Sequence, residues 1–66
     1  MRPQTEHEEE IARKVDAKAL AIARGQGIWG NNIISEMAIA VGFVMNAEED
    51  EFLKKYVVWR RENPPR

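Results

Sequence analysis

Apolar residues recur at helical spacing early in the chain. Ile11, Val15, Ala19 and Ile22, with Ala12 and Ala23 beside them, form one stripe. The pattern predicts a first helix over about residues 5–24. Thr5 and Glu8 stand at capping-box spacing, where the hydroxyl takes one orphan amide and the carboxylate another. Glu9–Arg13 and Glu10–Lys14 are four residues apart, with the acid first, which supports a helix. Gly25 is a natural stop, because glycine enters the left-handed cap conformation freely.

The pattern then changes. Gly25 to Asn32 reads as a connection, with Trp29 expected to plug one end of the core. Asn31 or Asn32 can cap the second helix. From Ile33 to Met45 the chain is apolar nearly all round, with Ser35 and Glu36 as its polar residues. Periodicity cannot separate a buried helix from a buried strand in such a run, but its length favours a helix, over about residues 32–45.

Asn46 and Glu49 repeat the capping-box spacing, and a third helix is expected over about residues 47–62. Asp50–Lys54 and Glu51–Lys55 are again favourable pairs. Its apolar face carries an aromatic ridge, Phe52, Tyr56 and Trp59, beside an aliphatic one, Leu53 and Val57. Asn63-Pro64-Pro65 ends it. The fold class is therefore all-α: a single small three-helix domain over residues 1–66, more than two-thirds helical. The short link at Asn46 leaves a second possibility, in which the last two helices form one kinked rod and the chain is a hairpin that dimerises.

Charge sharpens this picture. Acids and bases balance in residues 1–24 and again in 48–66, whereas 25–47 carries only Glu36. The net charge of −1 gives no bulk field to attract nucleic acid or anionic lipid. Met1 and the charged residues after it argue against a signal peptide, and a cytoplasmic location is expected.

Candidate chemistry is sparse. There is no cysteine, and His7, Ser35 and Thr5 are single instances of their kinds. No nucleophile–base pair is visible, so an enzyme is not expected, and no cofactor or metal is expected either. Gly25-x-Gly27-x-x-Gly30 matches the dinucleotide fingerprint in letters, but that motif needs a strand entering the turn. His7 and Glu10 have the spacing of carboxylate-bridged metal sites, which need further ligands from facing helices. The stretch from Lys54 to Arg61 mixes bases and aromatics, as nucleic-acid surfaces do, yet the aromatics share the core face. Residues 28–47 hold too many polar side chains for a membrane span.

The sequence supports two functional readings. In the first, the chain is a small protein–protein interaction module, an adaptor, modulator or accessory subunit of regulatory character. Its partner is a second copy or a larger host protein. In a chain this short, two flanking helices cover only part of an all-round apolar helix, so something else covers the rest. The expected interface residues are Ile33, Met37, Ile39, Ala38, Gly42, Phe43, Trp29 and Trp59. Ile39 lies opposite the Met37–Val41–Val44 ridge and has the best claim to face a partner. In the second reading, Ala38-x-x-x-Gly42-Phe43 belongs to a helix-turn-helix DNA-binding regulator. Against it stands Glu48-Glu49-Asp50-Glu51 at the end that should meet phosphates, which makes nucleic acid an unlikely partner.

Overall fold

A computed structural model describes residues 1–65. Among the described residues the chain is all-helical, with α1 spanning Glu6–Ala23, α2 Ile33–Ala40 and α3 Ala47–Glu62. The helices share one core of Ile11, Ala12 and Val15 from α1, Ile33 and Met37 from α2, and Phe52, Leu53, Tyr56 and Val57 from α3, joined by Val41. The stripes anticipated for α1 and α3 are the faces that meet. Ile22 and Trp59 at their ends are half-buried, and Ala23 is exposed.

α1 begins at Thr5, whose hydroxyl accepts from the Glu8 amide at 3.1 Å. The Glu8 carboxylate reaches one residue further back than a capping box requires and takes the Gln4 amide at 2.8 Å. Arg13 pairs with Glu10 rather than Glu9, and Lys14 stands 3.9 Å from the same carboxylate. The helix ends in a Schellman motif. Gly25 adopts φ +79°, its amide donates to Ile22, and the Gln26 amide reaches back to Ala21 at 2.8 Å.

α2 departs from expectation. It stops at Ala40, five residues before Met45, and it is not continuous with α3. The cause is Gly42, which takes φ +80° and donates its amide to the Ile39 carbonyl at 3.3 Å. That left-handed residue turns the chain out of the helix, and Phe43, Val44 and Met45 become connection. The shorter helix leaves the helical share slightly below two-thirds. Asn32 occupies the N-cap of α2 without a side-chain cap bond.

α3 opens with the expected capping box. Asn46 Oδ1 accepts the Glu49 amide at 2.8 Å, and Glu49 Oε1 accepts the Asn46 amide at 2.9 Å. Both expected pairs form along it, Lys54–Asp50 at 2.8 Å and Lys55–Glu51 at 3.9 Å.

Candidate interaction surface

With eight residues, α2 presents two clear faces. Ile33 and Met37 point inward, and Val41 continues that line just past the helix end. Ile34 and Ala38 are half-buried against the core. Ser35, Glu36, Ile39 and Ala40 are exposed. Three of these suit water. Ile39 does not, and it is 82% exposed. A helix that looks apolar all round in sequence is thus amphipathic in the fold, with one branched apolar side chain on the wet side.

The residues expected at an interface separate accordingly. Ile33 and Met37 are consumed by the protein's own core and leave a partner nothing to grip. Ala38, Phe43, Trp29 and Trp59 are half-buried and packed against that core. Trp29 therefore closes the core only in part and keeps some surface in water. Gly42 is exposed, but its lack of a side chain serves the turn and not a close helix–helix approach. Ile39 alone of the set is fully exposed and apolar.

The apolar pattern puts Val44 on the inward ridge with Met37 and Val41. It is instead 95% exposed, because the turn at Gly42 breaks the helical register that would have carried it inward. Isolated exposed apolar side chains are ordinary on a protein surface. What distinguishes this segment is its neighbours: from Met37 to Ala47 there is no charged residue, in a chain that is 32% charged. Ile28 in the first connection, 77% exposed, and Val58 on α3, 45% exposed, are the other large apolar residues in water within the packed part of the chain.

A shallow open trough of about 320 Å³ runs along α3, lined by Lys54, Lys55, Val58, Trp59 and Glu62. All five residues belong to one helix, so the trough is a surface contour rather than a cavity between elements. Its bases are already paired along the helix with Asp50 and Glu51.

Two polar clusters cross between helices. Asp16 Oδ1 accepts from the Tyr56 hydroxyl at 2.8 Å and from Arg60 Nε at 2.9 Å. The Arg60 guanidinium lies 4.5 Å from the Trp59 ring and also donates to the Asn63 carbonyl at 3.0 Å. Burial pushes the Tyr56 phenol above its ordinary value; the Asp16 carboxylate adds to that and Arg60 works against it. The phenol stays protonated and donating at neutral pH, as a structural hydrogen bond requires. The second cluster joins His7, Phe43 and Glu49. Their arrangement fastens α1 to the start of α3.

Among the described residues, no group of three or more His, Asp or Glu side chains could hold a metal ion. No helix there is long and apolar enough to cross a membrane. Comparison with protein families, with curated proteins and with solved structures finds no match to this chain.

Proposed function

We propose that the protein is a small helical interaction module that pairs with a second copy of itself through the end of α2 and the connection after it. The observation that supports this most is the exposure of Ile39 and Val44 on a run without charge. Burying an isoleucine or valine side chain contributes roughly 1.5–3 kcal/mol relative to leaving it in water. A two-fold arrangement presents the same patch twice, so each apolar residue meets another without a second surface having to evolve. The contact is small and mostly uncharged, and its strength should change little with salt.

DNA recognition is the weaker reading. Glu48, Glu49, Asp50 and Glu51 crowd the start of α3, and Arg60 is already held by Asp16 and Trp59.

The chain contains no cysteine, so a spin label can be placed at one position by Ser35→Cys on the exposed side of α2. Spin-labelled chain is mixed with isotope-labelled chain. Broadening of the Ile39 and Val44 methyl signals in the isotope-labelled copy is expected. No intermolecular broadening at millimolar concentration, or broadening confined to α1 and α3, would overturn the reading.

A further inference from the structure

From Val41 to Asn46 the chain alternates inward and outward, residue by residue. Val41 is buried, and Phe43 and Met45 are half-buried against the core, whereas Gly42, Val44 and Asn46 are exposed. A period of two is the alternation of an extended strand, not of a helix. Asn46 has an extended backbone, with φ −79° and ψ 178°. The segment is held near both ends. The Phe43 ring stacks on His7 with centroids 4.0 Å apart, and the Asn46 amide donates to Glu49 Oε1 at 2.9 Å.

Its middle is unpaired. Among the described residues, the amides and carbonyls of Phe43, Val44 and Met45 have no backbone hydrogen-bond partner. On a strand, the amide and carbonyl of one residue point to the same edge, and those of the next residue to the other. The edge of Gly42, Val44 and Asn46 is partly used, since the Gly42 amide donates to Ile39 and the Asn46 amide to Glu49. The edge of Phe43 and Met45 is free along its length. Such a row of unpaired groups is a template for another extended chain.

We propose that two copies of the chain join at this edge: Phe43 of one copy pairs antiparallel with Met45 of the other, about a two-fold axis at Val44. This pairing rests on the self-association reading and gives that contact a backbone. Each Phe43–Met45 pairing exchanges two N–H···O=C bonds, and the axis repeats it. Val44 then meets its own image as a non-hydrogen-bonded pair, the closer of the two kinds, with Cα atoms about 4.5 Å apart. The 95% exposed side chain thereby gains an apolar, β-branched cross-strand neighbour.

The occupant is a second copy because the segment suits its own image. A two-fold axis sets residues near it against themselves, and like charges directly opposite each other repel. From Met37 to Ala47 no residue is charged, so no such repulsion arises. The anchors at Phe43 and Asn46 also leave little chain to order on pairing.

Amide hydrogen exchange in the unmodified chain, read by nuclear magnetic resonance at rising concentration, tests this. When about nine-tenths of the chains are paired, the Phe43 and Met45 amides should exchange about tenfold more slowly, while the Val44 amide, on the outer edge, keeps its rate. In a mixture of isotope-labelled and unlabelled chains, the Val44 Hα of one should show an Overhauser contact with the Val44 Hα of the other. Light scattering on the same samples separates this pairing from the reading it rests on. A two-chain particle in which the three amides exchange alike, or in which Val44 slows instead, would overturn the backbone pairing and leave self-association through side chains. A one-chain particle up to millimolar concentration would overturn both.

Discussion

Tyr56 on α3 donates its hydroxyl to Asp16 on α1 at 2.8 Å, across forty residues of sequence. That bond ties the middle of α1 to the middle of α3, and Arg60 shares the same carboxylate oxygen. Tyr56→Phe should destabilise the fold by about 1 kcal/mol, since Asp16 keeps Arg60 as a partner. Asp16→Ala should cost about 1–3 kcal/mol, because it takes the acceptor from the buried Tyr56 hydroxyl and leaves Arg60 its bond to the Asn63 carbonyl and its contact with Trp59. Urea unfolding at neutral pH measures both. The raised phenol pKa sets the sign of the alkaline dependence. The protonated form is favoured in the fold, so its contribution is complete below the ordinary value of 10.0 and is lost as pH rises through the higher folded value. In Tyr56→Phe that alkaline loss should be smaller.

The turn at Gly42 gives a backbone prediction. Gly42 has φ +80°, which side chains with a Cβ adopt at a cost of roughly 1–2 kcal/mol, although the space around it is open. Gly42→Ala should therefore lower stability by about that amount. Gly27 has an ordinary φ, and its nearest neighbour is the flexible end of Lys18 at 3.3 Å. Gly27→Ala should fall within about 0.5 kcal/mol of the parent. Thermal melts of the two variants give the comparison, and equal losses would contradict the role assigned to Gly42.

The start of α3 should be acid-sensitive. The folded state holds the Glu49 carboxyl below its ordinary value, chiefly through the Asn46 amide and then through His7. Its contribution is present above the ordinary value of 4.5 and is lost as pH falls through the lower folded value. Asn46→Ala should cost about 1 kcal/mol at neutral pH by removing the side-chain cap. The α3 amide signals should fray first in that variant.

Duplex DNA should bind weakly or not at all at physiological salt. Fluorescence anisotropy with a labelled duplex tests this. Tight binding lost in Arg60→Ala and Arg61→Ala would favour the helix-turn-helix reading instead.

The helices are legible in the sequence because short-range chemistry defines them. Caps at Thr5 and Asn46, stripes on α1 and α3, and the glycine after α1 all act within a few residues. The extent of α2 is not legible from apolar pattern, because Phe43, Val44 and Met45 are as apolar as the helix before them. The signal is Gly42, which stands where a C-terminal glycine would, although its spacing from Ala38 also suits close helix packing. As a packing residue it would leave Val44 on the inward ridge; as a helix stop it sends Val44 into full exposure. Contacts such as His7–Glu49 and Asp16–Tyr56 join residues about forty positions apart, and no local pattern announces them. The exposure of Ile39 is legible, because its place opposite Met37 comes from helical geometry alone.

The central claim is self-association through Ile39 and Val44, and the mass of the particle tests it most directly. Ile39 is 82% exposed in the single chain, so Ile39→Glu should leave the helices and the melting of the isolated fold intact. Multi-angle light scattering at micromolar concentration should give two chain masses for the unmodified protein and one for the variant. A well-folded unmodified protein of one chain mass, 7.6 kDa, over that concentration range would contradict the account.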